Sequence, residues 1–260
     1  MNRCALECSR VSYPVWIAIG PLRFHPHMVF ELLAFAVGIV VYQSMREKQG
    51  DHLTVAQRWS LFAALAVGAV IGSRILNWLD APTFSFTRTS DFVALIGGQT
   101  VVGGLLGAWI AVEIQKRRIG IVTSTGDLLA VPAAAGMAVG RIGCFLTGLS
   151  DGTHGLATTM PWGIDLGDGI ARHPTALYES LFLAVLALVL WRVQRRLAHG
   201  VTFVAFVVAY LSFRLCVDLL KPGVPLAFGL TAIQWACVAG LAYYAVRYLR
   251  TSLLMPRRAS

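Results

Sequence analysis

Long apolar segments recur along the chain, and short stretches with charged or turn-forming residues separate them. A helix that crosses a bilayer needs about 20 mostly apolar residues, and seven segments reach or approach that length. We therefore predict an all-α integral membrane protein, a bundle of about seven transmembrane helices. The segments are 28–44, 60–78, 92–112, 128–149, 175–191, 201–220 and 229–248.

The composition agrees with a membrane protein. Charged residues make up only 13% of the 260 residues, 57% are hydrophobic, and the mean hydropathy is +0.67. A soluble domain typically carries roughly 25% charged residues, so the globular class is excluded. The net charge of +9 does not indicate nucleic acid, because the basic residues lie between apolar segments instead of forming one patch.

The positions of the basic residues predict the orientation. When loops are assigned alternately to the two sides, most of the 22 Lys and Arg residues fall on one side, which the positive-inside rule makes cytoplasmic. The N-terminus is then outside and the C-terminus cytoplasmic. The inside set is Arg46, Lys48, Arg58, Lys116, Arg117, Arg118, Arg192, Arg195, Arg196, Arg247, Arg250, Arg257 and Arg258.

The second, third and fourth segments are rich in Gly and Ala, which lets helix backbones approach closely in lipid. We expect these three helices to form the tight centre of the bundle. Residues 150–174 form the longest connection, on the predicted outer side, and their Gly, Thr, Asp and Pro content is typical of turns. Such a loop suggests a lid or a substrate-binding element. The chain is expected to be one domain.

Three arginines lie in or at the ends of apolar segments: Arg74, Arg141 and Arg214. An arginine near the bilayer centre costs at least ~2.5 kcal/mol, so it normally faces protein or water and marks a site. One interpretation is structural pairing with Glu31, Glu179 or Asp218. The other is an anionic ligand such as a phospholipid head group, whose phosphate oxygens match the guanidinium fork.

Other polar residues lie near the ends of the segments. His25 and His27 are predicted at the outer interface, as polar anchors or as a proton acceptor. Thr175, Tyr178 and Glu179 share one end of the fifth helix, where they either line a head-group pocket or anchor the helix at the interface. One polar stripe is formed by residues that recur every four positions: Tyr210, Arg214 and Asp218. Alternatively, Arg214 and Asp218 form an ion pair with each other.

The cysteines show no metal-ligand spacing. Cys144, Cys216 and Cys237 lie singly in apolar segments, where we expect buried small hydrophobes. Cys4 and Cys8 are closer together, but without nearby histidines the pair is weak evidence for zinc. We expect neither a metal nor a cofactor.

Two longer motifs carry a resemblance to the prolipoprotein diacylglyceryl transferases of bacteria. GRIGCFLTG, residues 140–148, is similar to that family's GRIGNFING, and HPTALYE, residues 173–179, is similar to its HPSQLYE. Shorter matches are GSR at 72–74, GGLLG at 103–107, YLSFR at 210–214 and LTAIQ ending at Gln234. The resemblance runs from about residue 23 to residue 234.

The resemblance implies a multi-pass enzyme of the bacterial inner membrane. It would transfer diacylglyceryl from phosphatidylglycerol to the lipobox cysteine thiol of a preprolipoprotein signal peptide. Arg141 and Arg214 are then expected to bind the phosphate and stabilise the leaving group, with Tyr210 orienting the head group and His25 as a catalytic candidate. The expected substrate-binding residues are Arg74, Gly103, Gly104, Gly140, Gly143, His173, Tyr178 and Glu179.

The chain departs from the family pattern at several polar positions. The family has asparagine where Cys144 stands, and its following glutamate and arginine correspond to Leu149 and Thr153. The polar residue before its GG is Val102 here, and the tyrosine near the start of the first helix corresponds to His25. In a divergent enzyme, His25 or His173 would supply the base.

Three alternatives to this transferase stay open on the sequence alone. They are a divergent transferase with another acceptor, a non-catalytic homologue that binds anionic lipid, and a transporter. Transporters commonly show internal repeats and broken helices in matching halves. No such repeat is evident in the sequence.

Overall fold

A computed structural model of the chain describes residues 12–80 and 98–254, and it is mainly α-helical. Within these residues the chain forms seven α-helices of 18 or more residues. They are α1 (Pro26–Gln49), α2 (Val55–Asp80), α3 (Val101–Arg118), α4 (Asp127–Thr147), α5 (Thr175–Val193), α6 (Val201–Asp218) and α7 (Ala232–Leu254). The predicted all-α class is confirmed.

Five stretches of the described residues are long and apolar enough to cross a membrane: Pro26–Gln49, Val55–Asp80, Asp127–Asp151, Thr175–Arg196 and Val201–Asp218. Many of their large apolar side chains are exposed, as on α1 at Leu32 and Phe35, which suits a lipid environment. The chain is therefore a multi-pass membrane protein. The predicted third segment starts at residue 92, outside the described residues, and its helix α3 is described from Val101.

Two helices begin with a reciprocal capping box. The Thr54 hydroxyl accepts a bond from the Gln57 N–H before α2, and the Gln57 side chain accepts one from the Thr54 N–H. Thr231 and Gln234 do the same before α7. Each box satisfies two backbone donors that a helix N-terminus otherwise leaves without partners. The LTAIQ motif is therefore a helix start.

The chain divides into two compact units. The first comprises residues 1–46, 128–197 and 217–222, and so holds most of α1, with α4 and α5. Glycines of α4 face α1: a Cβ atom at Gly136 would lie 2.8 Å from the Ala34 carbonyl oxygen, and one at Gly143 would lie 2.6 Å from the Phe30 Cβ. The Ser180 hydroxyl of α5 donates to the Ala138 carbonyl of α4 at 2.8 Å.

The second unit comprises residues 47–127, 198–216 and 223–260. Here α2 and α3 approach so closely that a Cβ at Gly72 or Gly103 would overlap the carbonyl oxygen of the other residue. The tight packing predicted for these two helices is confirmed, whereas the small residues of α4 contact α1. Asp127 accepts bonds from the backbone N–H groups of Gly200 and Phe203 and so caps the start of α6.

Short strands occupy two connections of the first unit. β1 (Ile17–Ile19) pairs antiparallel with β2 (Leu22–Phe24) just before α1. In the long connection, a 3-10 turn at Gly148–Asp151 is followed by β3 (Ile164–Asp165) and β4 (Ala171–Arg172), which also pair antiparallel. As predicted, this connection contains turns and no long helix.

Candidate active site

Arg141 lies within α4 and is buried, with only 5% of its surface exposed. Its Nη2 atom lies 2.9 Å from Oε2 of Glu179, which is fully buried near the start of α5. Burying either charge alone would cost several kcal/mol, so the two groups stabilise each other at membrane depth. The pair that the sequence analysis raised as one alternative is thus formed, and it connects the GRIG and HPTALYE motifs.

Glu179 contacts a second cation. Its Oε1 atom accepts a short hydrogen bond from Nζ of Lys221, which comes after α6 in the chain and belongs to the same compact unit as Glu179. One carboxylate therefore holds two cationic groups from different segments. Sequence analysis did not identify Lys221, because nothing in its local pattern ties it to a residue 42 positions earlier.

The long connection, residues 150–174, is hydrogen-bonded to the segments that carry Glu179 and Lys221. The Thr175 hydroxyl donates to the Thr153 carbonyl at 2.8 Å, which fixes the first turn of α5 to the connection. The Leu156 N–H donates to the Leu220 carbonyl at 2.8 Å, next to Lys221. These bonds place both the connection and Lys221 against the start of α5.

His173 and Tyr178 are brought together at the start of α5. The His173 Nδ1 and the Tyr178 hydroxyl lie 3.3 Å apart, within hydrogen-bond distance, and the rings meet edge to face. Both side chains are partly exposed. Together they offer a hydroxyl and an imidazole to a polar ligand.

A second cluster of polar side chains forms at the C-terminal end of α4. His27 Nδ1, in the first turn of α1, lies 2.8 Å from Oδ1 of Asp151. The Thr153 hydroxyl donates to the other oxygen of Asp151 at 2.7 Å. The Cys144 thiol completes the cluster, since one ligand atom from each of His27, Cys144 and Asp151 lies within 4.8 Å of the others.

This cluster also adjoins Arg141, whose Nη1 lies 3.8 Å from the Cys144 sulfur. Sequence analysis placed His27 at the interface but did not connect it with Cys144 or Asp151. His27 lies more than a hundred positions before Cys144 and Asp151, and the three residues match no local motif. The one available signal was that Cys144 lies three residues after Arg141, on the same helix face.

Arg214 and Tyr210 belong to the second unit. Both are buried on α6, and the Tyr210 ring stacks on Phe206 with centroids 6.3 Å apart. Asp218 is also buried, and the single helix α6 contains all three polar residues of the predicted stripe. Arg74 of α2 donates from Nη1 to the Gly98 carbonyl at 3.0 Å.

The remaining candidates have mainly structural contacts. His25 meets the Trp16 ring edge to face with centroids 5.4 Å apart, and its carbonyl accepts from the Val29 N–H. Gly103 and Gly143 permit the close helix contacts described above. A Cβ at Gly104 or Gly140 would make only ordinary contacts, at 3.6 and 3.7 Å.

Comparison with known proteins identifies the family. The family model described as prolipoprotein diacylglyceryl transferase matches residues 14–249. A phosphatidylglycerol--prolipoprotein diacylglyceryl transferase of Solidesulfovibrio magneticus is 31% identical over 237 residues, 88% of each chain. The protein of that name from Nitratidesulfovibrio vulgaris strain DP4 is 32% identical, covering 86% of this chain and 89% of its own.

The same name is carried by a protein of Bordetella parapertussis that is 30% identical over 256 residues, which is 92% of this chain and 95% of the relative. Matches of this extent include the GRIGCFLTG and HPTALYE segments, the two motifs that Arg141 and Glu179 join. The family predicted from the motifs is confirmed: this chain belongs to the prolipoprotein diacylglyceryl transferase family.

Proposed function

We propose that this protein transfers a diacylglyceryl group from phosphatidylglycerol to the lipobox cysteine thiol of a preprolipoprotein. One observation carries the proposal: in a member of this family, the arginine of the GRIG motif is buried at membrane depth and held by a carboxylate of the second motif. The relatives named for this reaction support it. The product is a thioether, and glycerol phosphate leaves.

Arg141 stabilises the leaving phosphate. Displacement at the glyceryl carbon breaks a carbon–oxygen bond, and negative charge develops on the phosphate oxygen. A donor fixed in position before the reaction stabilises that charge without reorganisation. The ion pair between Glu179 and Nη2 ties the guanidinium to the start of α5, and an arginine fork suits bidentate binding of phosphate oxygens.

In this proposal Arg214 is the second phosphate-binding residue and Tyr210 orients the head group. Both are buried one helical turn apart on α6. His173 and Tyr178 contact the polar part of a substrate at the start of α5, and Arg74 contributes positive charge. His25 is the catalytic candidate nearest the start of α1, as a proton acceptor for the thiol.

The proposed molecule is a single seven-span domain of the bacterial inner membrane. Its N-terminus faces outside and its C-terminus faces the cytoplasm, as the basic loops favour. Residues 150–174 then lie outside and act as a lid or substrate-binding element. This side suits a preprolipoprotein acceptor that has been exported.

Mass spectrometry tests the reaction directly. The purified full chain is mixed with phosphatidylglycerol and a lipobox peptide, and a diacylglyceryl increment is expected on the peptide cysteine. The matched control is Arg192→Ala, an exposed arginine at the other end of α5, which should retain full activity. Arg141→Ala should give no increment.

The replaced polar positions favour one other function. Cys144, Leu149, Thr153 and Val102 stand where the family pattern has other residues, which fits a homologue that binds anionic lipid without transferring it. Bound phosphatidylglycerol with no increment on any lipobox peptide would support that function. An increment on a different thiol or hydroxyl acceptor would indicate a divergent transferase.

A further inference from the structure

His27, Cys144 and Asp151 bring three kinds of metal-ligand atom to one place. Their imidazole nitrogen, thiol sulfur and carboxylate oxygen all lie within 4.8 Å of one another. Each ligand comes from a different element: the first turn of α1, the last turn of α4 and the 3-10 turn that follows α4. All three belong to the first compact unit.

The local packing fixes these ligands. Gly143 lets α4 approach the first turns of α1 next to Cys144, since a side chain there would meet Phe30. Asp151 is held on one oxygen by Thr153 and on the other by His27. A hydrogen bond to a ligating carboxylate is the outer support that metal sites use to orient their ligands.

We propose that these three residues bind a zinc-type divalent ion, and that the open fourth position takes the cysteine thiolate of the acceptor peptide. The second part rests on the proposed function. Zinc accepts mixed sulfur, nitrogen and oxygen ligands, and sites with three protein ligands leave one position for substrate. The Asp151 side chain is only 8% exposed whereas His27 is 45% exposed, so the cluster is open on one side.

The distances require a small adjustment. Ligand atoms at about 2.0–2.3 Å from zinc lie roughly 3.3–3.6 Å from each other at tetrahedral angles. The 2.8 Å separation of His27 and Asp151 has to widen by a few tenths of an ångström, and no pair has to close by much more than about 1 Å. Side-chain rotation in the first turn of a helix can supply such shifts.

A bound divalent ion would supply the nucleophile that the reaction needs. Metal binding favours loss of the thiol proton, for which His25 is the proposed acceptor, and the sulfur then forms a bond to the glyceryl carbon as the carbon–oxygen bond breaks. The electron pair of that bond leaves with glycerol phosphate, which takes up the proton. Arg141, 3.8 Å from the Cys144 sulfur, offsets the negative charge of a site that holds two thiolates and a carboxylate.

Metal content gives a test that does not depend on activity. The full chain in detergent is loaded with zinc, dialysed and analysed for bound metal, and one ion per chain is expected. Cys144→Ala and Asp151→Asn should lose it, whereas Cys216→Ser, an exposed cysteine elsewhere, should not. The measurement is repeated with Cys4→Ser and Cys8→Ser combined, so that a site at those two residues is recognised.

Two further measurements test whether Cys144 and Asp151 are the ligands: the spectrum of bound cobalt and the zinc affinity of a Thr153 variant. Cobalt in the site should give a thiolate charge-transfer band that Cys144→Ala abolishes. Thr153→Val should weaken zinc binding by about 10-fold, because it removes only the support of Asp151. Equal zinc binding in the wild type and in Cys144→Ala would overturn the proposal, and so would a chain without stoichiometric zinc.

Metal removal separates this proposal from the proposed function. Chelation should stop transfer, and added zinc should restore it. Transfer that continues at full rate without metal would overturn the role of the ion while leaving the transferase intact. Zinc bound as expected, with no transfer to any lipobox peptide, would contradict the transferase and leave the binding site standing.

Discussion

Arg141 is placed to serve both the fold and the reaction, and its two roles can be separated by substitution. Glu179 fixes one side of the guanidinium, and the Cys144 sulfur lies near the other terminal nitrogen. A fixed fork can bind two phosphate oxygens at once, whereas an ammonium acts as a point charge. Alanine and lysine at position 141 are therefore expected to have different effects.

Arg141→Ala should lower the transfer rate by at least about 100-fold, the size of effect seen when a fixed donor to a developing negative charge is removed. Arg141→Lys should restore part of that loss, because it keeps the charge but not the fork. The rate is measured with saturating lipid and peptide. Full activity in the alanine variant would remove Arg141 from the mechanism.

Glu179→Gln should destabilise the protein rather than act only on the reaction. It removes the carboxylate that both Arg141 and Lys221 contact, and losing one partner of a buried ion pair costs about 3–5 kcal/mol. Thermal unfolding in detergent measures the effect. Asp168→Asn, which breaks the surface pair with Arg172, should change the melting temperature little. An unchanged melting temperature for Glu179→Gln would contradict the structural role of this carboxylate.

At the scale of helices, the glycines of α3 differ in what their neighbours allow. Gly103→Ala should destabilise the protein by about 1–3 kcal/mol, the usual cost of overpacking, because its Cβ would meet the backbone of α2. Gly104→Ala is the matched control, with its nearest contact at 3.6 Å. Thermal unfolding of both variants checks this, and equal melting temperatures would show that α2 and α3 do not pack as described.

The helices could be predicted because their signals are local. Apolar length predicted where the helices lie, and the small residues of GGLLG predicted close packing around Gly103. The motif LTAIQ is a match to the family pattern, and in the structure its Thr231 and Gln234 form a capping box. The three-residue spacing of a threonine and a glutamine could have predicted this helix start. The prediction that α4 packs with α2 and α3 was wrong in part, since its glycines face α1. Small residues allow close packing but do not specify which helix they face.

The long connection contains a histidine that should make it sensitive to acid. The Nδ1 atom of His154 is buried without a hydrogen-bond partner among the described residues, and burial, with Arg172 nearby, lowers its pKa below the ordinary value. The neutral form is therefore favoured in the folded state. The stability associated with a neutral His154 is present above pH ~6.5, the ordinary pKa, and is lost as the pH falls through the lower pKa of the folded state.

Hydrogen exchange across residues 150–174 should rise as the pH falls from about 8 to below the ordinary histidine pKa of about 6.5, once the intrinsic pH dependence of exchange is corrected. His154→Gln cannot gain a proton, so this variant should flatten the rise. The same pH response in the variant and the wild type would assign the effect to another group.

For the whole molecule, the candidate groups divide between the two compact units. The Arg141 pair and the His27 cluster lie in the first unit, and Arg214 with Tyr210 lies in the second. The sequence could nominate Arg141 and Glu179, because each lies in a recognisable motif. It could not assemble His27 with Cys144 and Asp151, because His27 lies more than a hundred positions before the other two and such a contact leaves no spacing to detect.

The predicted orientation places two exposed threonines on opposite sides of the membrane. Thr159 lies in the connection expected outside, and Thr123 lies in the loop after the basic end of α3, expected in the cytoplasm. A membrane-impermeant maleimide should label Thr159→Cys above the wild-type level in intact spheroplasts, and Thr123→Cys above that level only after lysis. The reverse pattern would place Arg141 and its neighbours on the cytoplasmic side, where an exported lipobox cysteine is absent, and the proposed acceptor would fail with the orientation.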